Sequence, residues 1–227
     1  MLQILKQNLF RKNHPPLASQ LSEESFRYPK LLKIENSIYA LDFSLMKAIP
    51  AFYIIEKEFK NIKENFNNQL IETSSGTFAL GLAYACKKYN IKLTIVTDSI
   101  CDLALKNRMQ SLGTKVIIVD TPPSSANVQK ARLEILQDNL KCTGAFWTKQ
   151  YKNPLVWQSY VETLSKFKQP FNKLSLSHVV FPVGSGGSSK GISKLLHPNI
   201  AKVALDTIGS SIFRSYSGKR LLRGVGS

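Results

Sequence analysis

The residues best suited to chemistry lie in a few short stretches, of which FPVGSGGSSKG from Phe181 to Gly191 is the most distinctive. An apolar run from His178 to Val183 enters Gly184, Ser185, Gly186, Gly187 and Ser188 and leaves through GISKLL. A strand that runs into closely spaced glycines and then a helix aims backbone N–H groups at one spot, which suits a phosphate. The Walker pattern does not apply, because it places a Lys directly before Ser or Thr and Lys190 is followed by Gly191. A dinucleotide turn belongs near the start of its βαβ unit, although Asp206 stands at about the spacing of an acidic ribose ligand. A Gly/Ser loop with no ligand has the same composition, and beside these two alternatives the stretch is read as a phosphate-binding turn.

Lys47 is the second candidate, and its position follows from Pro50. Proline donates no backbone hydrogen bond and clashes with the carbonyl four residues back, so Pro50 belongs in the first turn of a helix. Lys47 then falls at a strand-to-helix corner, the place where open α/β sheets put their ligands. The plain alternative is one more surface lysine of a basic chain. Ser74-Ser75-Gly76-Thr77 joins the strand QLIET to the helix FALGLAYACKKY and has the composition of an ordinary helix cap. Gln150 and Asn153 in the polar stretch QYKNP have side chains that satisfy backbone groups in many loops. His14, His178 and His197 recur in no constellation and read as structural or surface residues.

Three strand-helix units in sequence must position these residues. Strands QLIET, KLTIVTD and KVIIVD alternate with helices FALGLAYACKKY, CDLALKNRMQSL and VQKARLEILQDNL, which argues for a parallel sheet covered on both faces. Before them stand a strand at Leu31 to Glu35, a connection from Asn36 to Phe43, and a helix from Ser44 to Ile62 with apolar residues at helical spacing. After them come a strand and loop at GAFWTKQYKNP, a helix at PLVWQSYVETLSKF, the strand that delivers the glycine turn, and a last strand at AKVALDTI. The lead-in before HPPL, a helix cap near Ser22 and a long loop from Thr121 to Asn127, expected as a mobile stretch or domain seam, complete the reading.

The chain of 227 residues is long enough to bury a substantial core, and its hydrophobic share of 43% and charged share of 20% are those of a globular protein. No run of apolar residues suits a membrane span and no signal peptide is recognisable, so a cytoplasmic protein is expected. The three cysteines lack metal-ligand spacing; Cys86, Cys101 and Cys142, placed in two helices and a loop, are expected to be reduced, with no metal site. The net charge of +16 brings nucleic acid to mind, yet Lys and Arg are scattered along the whole chain without a basic arm or an aromatic RNA motif. A solvated basic surface that draws in an anionic cofactor or substrate is the expected outcome, rather than nucleic-acid binding.

Taken in order, PPL (Pro15 to Leu17), LLKIEN (Leu31 to Asn36), Lys47 before PAFYII (Pro50 to Ile55), ETSSGT (Glu72 to Thr77), QYKNP (Gln150 to Pro154) and VGSGGSSKG (Val183 to Gly191) form one series. It resembles the pyridoxal-phosphate enzymes of fold type II, and within them the branch of cysteine synthase and cystathionine β-synthase. The resemblance implies an α/β fold of two open, mostly parallel twisted sheets flanked by helices. A smaller domain would span residues 36–145, and a larger one residues 1–35 plus 146–227, with the last part of the larger domain missing. It implies pyridoxal phosphate as cofactor, with Lys47 as the lysine that binds its aldehyde and later acts as general base. The phosphate would lie on Gly184, Ser185, Gly186, Gly187 and Ser188. A small amino-acid substrate would place its carboxylate on Ser74, Ser75, Gly76 and Thr77, with Gln150 joining them. The activity implied is β-elimination and β-replacement on a serine-derived amino acid, in a possible homodimer.

The sequence departs from the family pattern at definite places. Ala48 and Ile49 stand where Asp-Arg usually follows the lysine, and Thr77 stands where an Asn would meet the cofactor hydroxyl. Between Asn36 and Lys47 there are about five more residues than the pattern carries. Relatives also continue beyond the position of Ser227. These departures support an alternative expectation, a catalytically impaired homologue that acts as a binding or regulatory protein.

Overall fold

The computed structural model describes residues 29–43, 45–120, 128–165, 173–213, 218, 221, 222 and 225. The readings at His14, at Pro15 to Leu17, at Ser22 and at the Thr121 to Asn127 loop fall outside the described residues, as does most of the tail.

The chain enters through β1 (Lys30–Glu35) and β2 (Ile38–Asp42), an antiparallel hairpin that sets Lys30 opposite Asp42. The stretch expected as a plain connection is therefore largely a strand. IYALD is rich in residues that fit a pleated surface, and the two residues Asn36 and Ser37 are enough to reverse the chain. Helix α1 (Ala48–Asn65) begins four residues later than its periodicity suggested, because Leu45 to Lys47 form a turn closed by Ala48 N–H to the Leu45 carbonyl at 2.9 Å. Pro50 sits in the first helical turn, as its chemistry requires.

Asn67 and Asn68, at φ 50° and 55°, turn the chain into β3 (Gln69–Thr73). There follow α2 (Thr77–Tyr89), which ends on left-handed Asn90, β4 (Lys92–Asp98), and α3 (Leu103–Ser111), whose first turn is capped by Asp102 accepting from Leu105 N–H at 3.0 Å. Then come β5 (Lys115–Val119), α4 (Val128–Thr143) and the two-residue β6 (Phe146–Trp147). The strands form one parallel sheet in the order β5-β4-β3-β6.

Alternating side chains bury both faces of this sheet. Leu70 and Ile95 pack with Phe52, Ile55 and Leu82 under α1 and α2, while Ile71 and Val96 pack with Leu136 of α4. Cys86 is buried in α2, Cys101 lies in the turn before α3 and Cys142 is exposed on α4, so the helix and loop places expected for the last two are exchanged.

Beyond the sheet lie α5 (Leu155–Ser165), β7 (His178–Pro182), α6 (Gly187–Ser193) and β8 (Ala201–Leu205), with β7 and β8 paired in parallel. Strand pairing crosses both edges of the 36–145 unit: β1 bonds to β2, and β6 bonds to β3. No helix among the described residues is long and apolar enough to cross a membrane.

Two close helix contacts fix the frame around the candidate residues. A Cβ at Gly81 of α2 would lie 2.7 Å from the Ala48 Cα, so α2 crosses α1 at its very start. A Cβ at Gly191 of α6 would lie 2.6 Å from the Trp157 carbonyl oxygen and 2.7 Å from the Tyr160 Cβ, so α6 rests directly on the backbone of α5. Helix α5 also meets the start of α1, since the Tyr160 hydroxyl donates to the Met46 carbonyl at 3.0 Å.

Candidate active site

Lys47 directly precedes α1, with φ −77°, ψ −9° and an exposed side chain. The corner that carries it is held from two sides, by α2 through Gly81 and by α5 through Tyr160. Ala48 and Ile49, in place of a charged pair, are buried beneath these contacts. A charge buried there would need a partner.

At the carboxyl end of β3 the chain passes through Ser74, Ser75, Gly76 and Thr77 into α2. Ser74 is buried; its N–H continues the strand by bonding the Val96 carbonyl at 3.2 Å, and its Oγ accepts from Gly76 N–H at 3.4 Å. Ser75 is exposed, while Gly76 and Thr77 are half-buried. Gly76 occupies the capping position and supplies no side-chain cap, so the ordinary capping role is not the one these residues play. A Cβ on Gly76 would meet no atom within 4 Å, and the buried Thr73 hydroxyl has no partner among the described residues. An open turn with unused N–H and O–H donors at a helix N-terminus is chemically suited to a carboxylate.

Gln150 is buried against this turn, its side-chain amide donating to the Thr73 carbonyl at 3.0 Å. Asn153 has the plain role open to it: its side chain donates to the Thr148 carbonyl and accepts from Leu155 N–H, both at 2.9 Å, which ties the loop to the start of α5. The residue that sequence reasoning passed over is Glu72, only 1% exposed. Its carboxylate accepts from Thr73 N–H at 2.7 Å, Trp147 Nε1–H at 3.1 Å, the Thr148 hydroxyl and Gln150 N–H at 3.4 Å. Burial pushes this carboxyl above its ordinary range, against the pull of the four donors. The only signal in sequence was an acidic residue next to the end of the strand QLIET, directly after the apolar Leu70 and Ile71.

The glycine turn lies at the carboxyl end of β7. Gly186 has φ 81° and open space where a Cβ would be, Ser185 is exposed, and Gly184, Gly187 and Ser188 are half-buried. The Gly186 carbonyl accepts from Lys190 N–H at 2.9 Å and from the Ser189 hydroxyl at 3.1 Å, which fixes the turn onto α6. Asp206, the possible ribose ligand, accepts from the neighbouring Thr207 N–H at 2.8 Å. The structure thus joins Gln150 to the Ser74 turn through Glu72 and Thr73, and joins the Lys47 corner to the glycine-turn helix through α5.

Comparison with known proteins gives these places a family. A sequence profile of the pyridoxal-phosphate dependent enzymes matches residues 43–221. The fold is similar to that of a hydrogen sulfide-producing enzyme from Fusobacterium nucleatum, at 25% identity and a TM-score of 0.71 over 92% of this chain and 73% of that one. It is also similar to an O-acetylserine dependent cystathionine β-synthase from Helicobacter pylori, at 20% identity and a TM-score of 0.75 over 95% and 73% of the two chains. A cysteine synthase from Entamoeba histolytica matches at 16% identity with a TM-score of 0.75, over 96% of this chain and 68% of that one. The last two likenesses concern the fold alone.

The residues present fit the family's cofactor. An accessible lysine stands at a strand-to-helix corner, a glycine turn leaves space above Gly186, and serine hydroxyls flank that turn, which together offer an amine for an aldehyde and neutral donors for a phosphate. With the profile covering most of its length and the parallel α/β architecture shared, the chain belongs to the pyridoxal-phosphate dependent enzymes of fold type II, whose cofactor is pyridoxal phosphate.

Proposed function

We propose that this protein carries out β-elimination and β-replacement on a small serine-derived amino acid. The observation that carries the reading is the turn at the end of β3, where α2 begins without a side-chain cap beside the partnerless, buried Thr73 hydroxyl. A buried donor left without a partner costs free energy, and the N–H groups of an open helix N-terminus favour an anion, which an amino-acid carboxylate supplies.

Lys47 is the residue proposed to hold the cofactor covalently, and Gly184, Ser185, Gly186, Gly187 and Ser188 are proposed to hold its phosphate. Pyridoxal phosphate, when bound, supplies an electron sink for charge that develops at the substrate α carbon. The chain's own work is then positional and acid-base. Ser74, Ser75, Gly76 and Thr77, with Gln150, bind and orient the substrate carboxylate. Lys47 would be the base that takes the proton from the substrate α carbon. Thr77 stands where the family pattern places an Asn and would offer the cofactor hydroxyl a shorter side chain.

The test is an absorbance titration of the purified chain with pyridoxal phosphate beside a Lys47→Ala variant, followed by assay with O-acetyl-L-serine and sulfide. A bound-cofactor band that the variant lacks, together with turnover in the unmodified chain only, is the expected outcome. Cofactor binding without turnover of any β-substituted amino acid supports the regulatory alternative instead, and no band in either protein refutes the assignment of Lys47.

A further inference from the structure

We propose that Glu72 is a positioning residue for substrate binding: it holds Gln150 against the Ser74–Thr77 turn and so sets how tightly that turn grips the substrate carboxylate. The inference rests on the functional reading above.

Glu72 is 1% exposed, and each of its two oxygens receives two donors. One oxygen accepts from Thr73 N–H at 2.7 Å and Trp147 Nε1–H at 3.1 Å; the other accepts from the Thr148 hydroxyl and from Gln150 N–H at 3.4 Å. A carboxylate has about four lone-pair sites, so this one is fully engaged. Three of the donors come from residues 147, 148 and 150, on a stretch also joined to β3 by the short pairing of Leu70 with Phe146 and Ile71 with Trp147 and by the Gln150 side-chain bond to Thr73. One buried group therefore gathers the whole entry to the QYKNP loop.

The backbone between those donors is unusual. Lys149 has φ 50°, a left-handed conformation that a long side chain adopts at a cost. The kink turns the Thr148 hydroxyl and the Gln150 N–H toward the same oxygen, although they are two residues apart. Gln150 then extends its side-chain amide to the Thr73 carbonyl at 3.0 Å, at the base of the carboxylate-suited turn. Glu72 itself is enclosed beneath these groups and acts through them.

The test uses Glu72→Gln in the cofactor-loaded protein with O-acetyl-L-serine as probe. Both oxygens accept twice, so an amide nitrogen faces two donors whichever way it is placed, and the loop loses its anchor on that side. The expected result is a rise in KM of about tenfold with kcat within about twofold, the pattern of lost uniform binding. The half-saturating concentration of pyridoxal phosphate stays unchanged. In the cofactor-free protein, amide exchange at Gln150 speeds up about tenfold, as local opening becomes easier. Combining Glu72→Gln with Gln150→Ala raises KM no further than Gln150→Ala alone, because the two act as one unit.

Unaltered KM and exchange in Glu72→Gln overturn the inference while turnover in the unmodified chain stands. Joint loss of cofactor affinity and kcat overturns it too, since that marks a collapsed site. Where Glu72→Gln fails to fold, Trp147→Phe removes a single donor and is expected to raise KM in the same direction by a smaller factor; an unchanged KM refutes the proposal. An unmodified chain that takes up no cofactor defeats the functional reading and this inference with it.

Discussion

Gly191→Ala offers a sharp test of how the glycine turn is held. The added Cβ would lie 2.6 Å from the Trp157 carbonyl oxygen and 2.7 Å from the Tyr160 Cβ. Neither neighbour gives way easily. The first is helix backbone, and the second belongs to a side chain that is 2% exposed and hydrogen-bonded to Met46. Restoring ordinary contact near 3.5 Å requires a shift of about 0.9 Å in α6. Gly187 begins the same seven-residue helix, so the turn moves with it. N–H donors proposed to sit about 2.9 Å from a phosphate oxygen would then stand at about 3.8 Å, beyond useful hydrogen bonding. Each such bond to a charged group is worth about 1.5–3 kcal/mol, so loss of a single one weakens cofactor affinity by about 10–100-fold. Overpacking should lower stability by about 1–3 kcal/mol as well. Pyridoxal phosphate titration by absorbance and a thermal melt read the two effects separately. A lowered melting temperature with an unchanged cofactor affinity would show that the seating of α6 on α5 does not set the turn, and would refute the reasoning.

Further outcomes follow from other contacts. Tyr160→Phe leaves the Met46 carbonyl without its donor beneath the Lys47 corner and should cost about 1–3 kcal/mol; urea unfolding curves that superimpose on the parent's would count against that bond. Gly81→Ala drives a methyl to 2.7 Å from the Ala48 Cα and should destabilise by about 1–3 kcal/mol, read from the same curves. Arg132→Ala strips the partner at 3.0 Å from the buried Asp98 and should cost about 3–5 kcal/mol in urea unfolding, a loss under about 1 kcal/mol counting against the pair. Burial raises the Glu72 carboxyl above its unfolded value, so its contribution to stability is present below the unfolded pKa and is lost as pH rises through the folded pKa. Melting temperatures of the parent protein should therefore fall relative to Glu72→Gln across that rise, and parallel curves would contradict the assignment.

The parallel sheet was legible in sequence because each strand carries its own apolar run and each following helix its own period, as in QLIET with FALGLAYACKKY. The hairpin strand β2 was not, since Asn36-Ser37 lacks the glycine that announces a two-residue turn and its strand is only half-buried. Local chemistry singled out the Ser74 turn and the glycine turn. Their supports escaped notice for a different reason. Glu72 meets Trp147, Thr148 and Gln150 across 75 to 78 residues, and Tyr160 reaches Met46 across 114. No short window of sequence contains both partners, and an acidic residue in a strand carries no mark of its own burial.

The two tryptophans happen to divide the molecule between them. Trp147 donates its indole N–H to Glu72 beside the Ser74 turn, while Trp157 lies beneath the ammonium groups of Lys190 and Lys194, at 4.9 and 5.2 Å from its ring centre, on the helix that follows the glycine turn. Each indole thus serves as a built-in optical reporter for one half of the site. In a Trp157→Phe background the remaining emission follows the β3 end, and in a Trp147→Phe background it follows α5 and α6. Two single-tryptophan proteins would let the arrival of cofactor and of amino acid be timed separately, without a foreign dye.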